Sequence, residues 1–196
     1  MSSNIFNCIG PCKILAYLRG DVRIANESLL VVGPWIDDYF AEQIVLIAPT
    51  ALKTRVLIRP QFQVDSYVWE RMIKALAIFH SHWPQFEART LPGLHAKCIC
   101  IDGQLIFLGS ANWYRYSLEE SVEVVLRGPL AAVKGLSQDF EALWQEGEPV
   151  ATAGLVESPS LGSSEGITHE VLDPLAARAL RDNPKAFRLG KKSSQL

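Results

Sequence analysis

The residues best suited to chemistry lie close together between positions 94 and 112. His95 and Lys97 are two positions apart, so a strand would put both side chains on one face, a few ångströms from each other. Ser110 and Asn112 follow in the sequence Gly-Ser-Ala-Asn. An imidazole can attack or transfer a proton, while an ammonium, a hydroxyl and a carboxamide donate hydrogen bonds to anionic oxygens. This combination suits a substrate with an anionic tetrahedral group.

A tight hairpin would bring these side chains to one edge. Asp102 and Gly103 separate two apolar runs, and Asp-Gly between such runs is a strong signal for a two-residue turn. The return strand is predicted over residues 104–108, directly before the Gly-Ser-Ala-Asn sequence. The histidine, lysine, serine and asparagine therefore converge if the hairpin forms.

This stretch closely resembles the HKD signature of the phospholipase D superfamily, His-x-Lys-x4-Asp followed by Gly-Ser-x-Asn. Here the signature begins with His95 and Lys97, continues to Asp102 after four residues, and ends in Gly-Ser-Ala-Asn at 109–112 after six more. Every spacing agrees with the family pattern. The family also has a glutamate after the asparagine, at the start of a strand, and Glu123 fits that position best.

The resemblance implies a two-step reaction on a phosphodiester, without a metal or a cofactor. His95 would attack phosphorus to form a phosphohistidine, and a second histidine would protonate the leaving oxygen and then activate water. Lys97, Ser110 and Asn112 would bind the non-bridging oxygens of the phosphate. Lys97 supplies the positive charge, so no metal is needed.

Two carboxylates complete the catalytic set implied by the resemblance. Glu123 would accept a hydrogen bond from the Nδ1–H of His95 and fix its tautomer. Asp102 belongs to the signature, and we expect it to organise the turn. Glu119 and Glu120 are nearby but lie in the connection before the predicted strand.

The implied mechanism needs two histidines at one phosphate, whereas the chain has one copy of the motif. His80 and His82 lie at the predicted end of a helix, with no lysine two positions later, and His169 lies in a predicted linker. The second His95 is therefore expected from another copy of the chain. A twofold homodimer would place the two motifs face to face.

Composition limits the class of protein. The 196 residues, 48% of them hydrophobic, are enough for one domain with a substantial core. The net charge of −2 is unlike the basic charge usual for nucleic-acid-binding domains, although charge can be clustered on one face. We identify no signal peptide and no apolar run near the roughly 20 residues that span a bilayer, so a cytoplasmic protein without stable membrane insertion is expected.

The four cysteines fit a reduced, cytoplasmic protein. Cys98 and Cys100 alternate along the motif strand, on the face opposite His95 and Lys97, and are predicted as small core residues. Cys8 and Cys12 are separated by three residues, and without a second Cys/His pair they are weak evidence for zinc.

Hydrophobic periodicity predicts an α/β fold, in which strands alternate with helices before the hairpin. With the resemblance, this predicts a phospholipase D-like αβα sandwich, a mixed sheet with helices on both faces and one HKD half-domain in the chain. The predicted strands are 28–32, 54–59, 86–91, the hairpin and 121–127, and the predicted helices are 37–47, 65–82 and 130–146.

The domain boundaries follow from composition. Residues 1–27 are predicted as an N-terminal segment and 28–146 as the catalytic domain. Residues 147–172, rich in Gly, Ser, Pro, Ala and Thr, are predicted as a flexible linker. Residues 173–196 are predicted as a basic C-terminal tail with one short helix, which is suited to a further subunit or to a nucleic-acid backbone.

We predict a metal-independent nuclease, because small single-motif members of the resembled family are often endonucleases. One alternative is a phospholipase D or transphosphatidylase acting on phospholipid, which would need an apolar rim or a membrane-docking helix. Another is a non-catalytic nucleic-acid-binding subunit, which would tolerate a monomer. Trp113, Tyr114 and Tyr116 are candidates for stacking on a base, and core packing is an equally good interpretation.

Overall fold

Eight strands form one mixed sheet in the computed structural model, which describes residues 5–10 and 13–151. The strand order across the sheet is β1-β7-β6-β5-β2-β3-β4-β8. The predicted α/β fold is confirmed. The strands are β1 Asn7–Ile9, β2 Ser28–Val32, β3 Lys53–Ile58, β4 Phe86–Thr90, β5 Cys98–Ile101, β6 Leu105–Gly109, β7 Val125–Pro129 and β8 Glu148–Pro149; the helices are α1 Ile14–Val22, α2 Asp38–Val45, α3 Ser66–His82, α4 Arg115–Glu119 and α5 Leu136–Glu146.

Because of the strand directions, several segments that connect the central strands lie at one edge of the sheet. Strands β2, β3 and β4 are parallel, whereas β5 runs antiparallel to β2, with Val32 opposite Cys98. Strands β6 and β7 continue the antiparallel pattern, with Gly109 opposite Val125. The segments after β2, β3, β4 and β6 therefore meet the segments before β5 and β7. We call this the carboxyl edge, after the ends of its parallel strands.

Both faces of the sheet are covered by helices. Helix α5 packs its Phe140 and Trp144 on one face, against a cluster that includes Leu57, Cys98 and Cys100. Helices α2 and α3 connect parallel strands, so they lie together on the opposite face. There Phe40 of α2 and Phe79 of α3 meet edge to face, with ring centroids 6.1 Å apart. The two cores fix the sheet from both sides, which holds the carboxyl edge in place.

The N-terminal residues belong to the same sheet and core. Strand β1 pairs with β7, and Ile14, Leu18 and Val22 of α1 are completely buried. From the sequence alone, residues 1–27 are predicted to lie outside the catalytic domain, because a three-residue strand and a nine-residue helix give little periodic signal. At the other end, β8 pairs with β4, so the sheet extends past position 147, where the linker is predicted to begin.

Three elements begin more than two residues away from their predicted starts. Strand β7 begins at Val125 instead of 121, because the side chains before it contact the 109–112 loop. Residues 130–132 form a short 3-10 turn, and α5 begins at Leu136 after Gly135, whose φ of 84° is left-handed. His95 and Lys97 precede β5, which begins only at Cys98. Position 12 and the predicted tail lie outside the described residues, as does the predicted linker beyond 151.

The Asp-Gly turn forms as predicted, and its aspartate fastens the hairpin to the chain before β2. Asp102 and Gly103 both have positive φ, 53° and 62°, as a type I′ turn requires. The Asp102 carboxylate accepts hydrogen bonds from the backbone N–H groups of Asn26, Glu27 and Ser28, at 2.8 to 3.2 Å. Partial burial raises the pKa of the Asp102 carboxyl, but these hydrogen bonds outweigh it and hold the pKa below its ordinary value.

Replacing Asp102 with alanine is expected to lower the free energy of unfolding by about 1–3 kcal/mol at pH 7, since three backbone donors lose a charged acceptor. The folded-state pKa is depressed, so this stabilisation is present above the ordinary carboxyl pKa. It is lost as the pH falls through the folded value. Urea titrations at pH 7 and pH 3 test both points. Asp139→Ala, which changes an exposed aspartate on α5, is the control. An equal difference between Asp102→Ala and wild type at both pH values would contradict this account.

Candidate active site

The candidate active site lies at the carboxyl edge, where three separate segments bring polar side chains together. His95 and Lys97 come from the segment before β5, Ser110 and Asn112 follow β6, and Glu123 precedes β7. His95 is exposed, whereas Lys97 and Asn112 are each only 8% exposed. The nucleophile candidate therefore faces solvent, while groups that would contact a phosphate are held in the protein.

The ammonium of Lys97 lies over the imidazole of His95. Its Nζ atom is 3.4 Å from each ring nitrogen of His95 and donates a 2.9 Å hydrogen bond to the His95 carbonyl. Lys97 is the main cause of a lowered pKa at His95, followed by burial and by the charge of Arg59. A lowered pKa keeps the imidazole neutral at physiological pH, which is the form that can attack phosphorus.

Hydroxyl groups hold the loop that carries Asn112. The backbone N–H of Asn112 donates to Ser117 Oγ at 2.9 Å, and Ser117 Oγ donates to Glu123 Oε1 at 2.7 Å. Ser110 Oγ donates to the other oxygen of Glu123 and accepts from the Val124 N–H at 3.1 Å. The Oδ1 atom of Asn112 is buried and has no hydrogen-bond partner among the described residues. The loop is therefore fixed through its backbone, and the Asn112 carboxamide makes no hydrogen bond to the described residues.

Two of the predicted roles differ from the contacts in the structure. The predicted hydrogen bond between Glu123 and His95 is not among those of the described residues, because both oxygens of Glu123 accept from serine hydroxyls. Ser110 was expected to donate its hydroxyl proton to a phosphate, but in the structure it donates that proton to Glu123. Glu123 instead acts on Lys97, where its charge opposes the lowering of the pKa caused by burial and by Arg59.

Asp37 links the loop after Asn112 to helices α2 and α3. Its backbone N–H donates to the Trp113 carbonyl at 3.1 Å, and its carboxylate accepts from the backbone of Phe40 and Arg115 and from the side chain of Arg71. Burial raises the pKa of Asp37 despite these partners. Trp113 donates from Nε1 to the Val32 carbonyl and is completely buried. Of the two interpretations of Trp113, core packing is the one that the structure supports.

Arg59 and Trp35 also lie at the carboxyl edge, and neither was predicted from the sequence as a site residue. Arg59 directly follows β3, and its Nε donates a hydrogen bond to the carbonyl of Leu94, the residue before His95. Its guanidinium carbon lies 5.8 Å from the ring centroid of Trp35. Neither residue belongs to the HKD spacing. The one sequence feature that could have marked these two residues is their position, because each follows a buried strand of the parallel part of the sheet.

The other candidate residues lie elsewhere. His80 and His82 end α3, next to the beginning of β4, with His82 Nε2 3.0 Å from the Ala48 carbonyl. They are at the edge opposite His95. Asp102 also lies there, because it follows the far end of β5. His169 is outside the described residues.

Cys98 and Cys100 occupy the core as predicted, and burial raises the pKa of both thiols. Cys8 is exposed on β1. Its proposed partner at position 12 is outside the described residues, so the weak zinc hypothesis stays a prediction. Within the described residues, no helix combines the length and apolar character needed to cross a membrane.

An exposed imidazole, a buried ammonium and a carboxamide lie together at this edge of a mixed α/β sheet, and this set of groups fits a phosphodiesterase-type enzyme. The chain belongs to the phospholipase D superfamily: the sequence model of the family described as cardiolipin synthase, PLD-like domain, matches residues 21–144, more than half of the chain. The chain is also 32% identical to the mitochondrial cardiolipin hydrolase of Xenopus tropicalis over 59 residues. That match covers 30% of this chain and 28% of the relative.

Solved structures share the fold of this chain. NucT from Helicobacter pylori superimposes with a TM-score of 0.60 at 16% sequence identity. Nuc from Salmonella typhimurium, a phospholipase D family member, gives a TM-score of 0.60 at 12% identity. Each comparison covers 74% of this chain and 98% of the other. The shared fold therefore extends over nearly the whole of both relatives.

Proposed function

We propose that the chain is a metal-independent nuclease that cleaves DNA or RNA through a phosphohistidine intermediate. The observation that carries the proposal is the position of His95 against Lys97, with Asn112 held on the adjoining loop. Such a group can attack phosphorus and stabilise the charge of the transition state with side chains alone. The full HKD spacing and the superfamily membership support it.

In the first step, a ring nitrogen of neutral His95 attacks phosphorus, and the bond from phosphorus to the leaving oxygen breaks. Lys97 and Asn112 hold the non-bridging oxygens as their charge redistributes, so the protein supplies positioning and electrostatic stabilisation. A proton must reach the leaving oxygen at the same time. In the second step, water attacks phosphorus, the phosphorus–nitrogen bond breaks, and His95 is regenerated.

The proton donor is assigned to His95 of a second copy of the chain. Within the described residues, the other two histidines are at the opposite edge of the sheet and cannot reach the site. A twofold dimer that faces the two carboxyl edges supplies the missing imidazole and brings a second Lys97 to the phosphate. At the start of the reaction the two His95 rings share one proton: the attacking ring is neutral and the second ring is protonated. The leaving oxygen takes its proton from this second ring, which is then neutral and removes a proton from the attacking water.

The nuclease is tested by incubating labelled single- and double-stranded DNA and RNA with the protein in excess EDTA, with His95→Ala in parallel. We expect cleavage in EDTA by the wild type and at least a 10³-fold loss in the variant, in line with loss of a covalent nucleophile. His80→Ala, which alters a histidine at the opposite edge, is the matched control and should retain activity. Cleavage by His95→Ala at the wild-type rate would disprove the mechanism.

The shared site makes a separate prediction about stoichiometry. Two histidines at one phosphate allow one phosphohistidine at a time. When the reaction is stopped rapidly without acid, labelled substrate should therefore be bound covalently to at most half of the chains. Sedimentation should show a dimer under the same conditions. A fully active monomer, or one phosphohistidine in every chain, would contradict the shared site while leaving the nuclease assignment intact.

A phospholipid diester is the second candidate substrate. The description of the matching family names cardiolipin synthase, and the curated relative is a cardiolipin hydrolase. Both descriptions name a phospholipid. Parallel assays on cardiolipin vesicles distinguish the two. Hydrolysis of the lipid without cleavage of any nucleic acid would replace the nuclease proposal with a phospholipase, and binding of nucleic acid without cleavage would favour a non-catalytic subunit.

A further inference from the structure

Arg59 and Trp35 stand beside the HKD residues as a separate pair. Each follows a strand of the parallel part of the sheet, at the edge where ligands of open α/β sheets bind. The Nε atom of Arg59 donates to the Leu94 carbonyl, which fixes the guanidinium next to His95. The distance of 5.8 Å to the Trp35 ring is within the range of a cation–π contact. Trp35 itself is half-buried.

Arg59 carries a charge that the described residues do not neutralise. In residues 5–10 and 13–151, no carboxylate lies within ion-pair distance of its guanidinium. Its terminal Nη groups make no hydrogen bond in that part of the chain, which leaves a fork of donors for an anion. Arg59 also lies close enough to lower the pKa of Lys97, after the larger effect of burial. Two cations held together without an anion repel each other, so the arrangement favours a bound anion.

A single phosphodiester does not require this additional cation. It has one negative charge, which His95, Lys97 and Asn112 can accommodate as described above. A second phosphate on the same substrate would match Arg59, because a guanidinium binds phosphate oxygens through two donors at once. Nucleic acids place a phosphate on each side of the one that is cleaved, and each phosphate is accompanied by a base that can stack on an aromatic ring.

We propose that Arg59 and Trp35 form a subsite for the nucleotide next to the scissile phosphate, in which Arg59 binds the neighbouring phosphate and Trp35 stacks on the base. The inference rests on the proposed nuclease function and names its substrate as a chain of at least two adjacent phosphates. Trp35 favours a nucleic acid over a lipid with two phosphates, since the lipid offers no ring for stacking.

The test compares dinucleotides that differ by one phosphate. Thymidylyl-thymidine contains only the scissile diester, and its 5′- or 3′-phosphorylated forms add one neighbouring phosphate. We expect wild-type kcat/KM to be about 10- to 100-fold higher for one phosphorylated form, as suits one charged hydrogen-bonded contact. In Arg59→Gln, the ratio of kcat/KM between the phosphorylated and the unphosphorylated dinucleotide should fall to near one, whatever the basal rate of this variant. Both proteins are measured over the same range of pH and compared at their maximal rates, because the charge of Arg59 also lowers the pKa of His95.

Two variants separate the subsite from general effects. Lys53→Gln removes a cation from the opposite end of β3, where the side chain is exposed, and should keep the phosphate advantage. Trp35→Leu should raise KM for both phosphorylated and unphosphorylated dinucleotides, because stacking concerns the base. Retention of the phosphate advantage in Arg59→Gln would overturn the inference and leave the nuclease proposal standing. An equal loss on every dinucleotide would also overturn it, because Arg59 would then only hold the His95 segment.

Failure of the nuclease proposal has a different signature. If the wild type cleaves none of the dinucleotides or oligonucleotides, vesicles of cardiolipin, with two phosphates, are compared with vesicles of phosphatidylglycerol, with one. A preference for cardiolipin that disappears in Arg59→Gln would assign the second phosphate site to a lipid and overturn the assignment to nucleic acid.

Discussion

Replacing Lys97 with methionine is expected to lower kcat for diester cleavage by about 10²- to 10³-fold, with the protein still folded. Methionine has a similar length and preserves packing at a position that is 8% exposed, but it removes the ammonium that faces the substrate oxygens. The loss should appear mainly in kcat, because the charge that Lys97 stabilises grows as the phosphorus–oxygen bond breaks. Single-turnover cleavage of a labelled oligonucleotide measures this step directly.

The same substitution should raise the pKa of His95. Lys97 is the largest cause that lowers this pKa. Without the ammonium, the imidazole of His95 should stay protonated up to a higher pH. The acidic limb of the pH–rate profile should therefore move to higher pH, and NMR titration of the His95 ring should show the same direction without any substrate. Lys134→Met, at an exposed position, is the matched control and should change neither measurement. An unchanged His95 pKa in Lys97→Met would contradict the position of the ammonium over the ring.

The sequence was sufficient to predict that the HKD residues meet, because they are close along the chain. A hairpin with an Asp-Gly turn brings positions 95, 97, 110 and 112 together through local geometry, and the structure forms that turn. Their catalytic roles stay predictions. The buried strands could also be predicted, since runs such as Ser28–Val32 have the apolar composition that parallel strands require.

Contacts between different segments of the chain could not be predicted from the sequence. Glu123 hydrogen-bonds Ser117 and Ser110 because the end of β6 meets the beginning of β7, and spacing along the chain does not reveal which donor is nearest. Arg59 reaches the Leu94 carbonyl across 35 positions in the sequence, so no local pattern marks it. What could not be predicted is therefore the set of contacts that position the catalytic groups.

The close contact between β6 and β7 makes Gly109 the most sensitive backbone position of the site. A Cβ at this position would lie 2.2 Å from the Val124 carbonyl oxygen and 2.8 Å from the Val125 Cα. Both neighbours are backbone atoms, so Gly109→Ala must separate the strands where Gly109 pairs with Val125. We expect the free energy of unfolding to fall by about 3 kcal/mol, at the upper end of the usual range for overpacking.

Separation of β6 from β7 should also lower activity beyond the effect on stability, since Ser110 and Glu123 lie on the two sides of the contact. The measurement pairs urea unfolding with cleavage at a temperature where circular dichroism shows the variant fully folded. Gly20→Ala is the control, because a Cβ there meets nothing within 4 Å and the change favours helix α1 by up to about 1 kcal/mol. If folded Gly109→Ala cleaved at the wild-type rate, the site would not depend on the register of these strands, and Glu123 would have no positioning role.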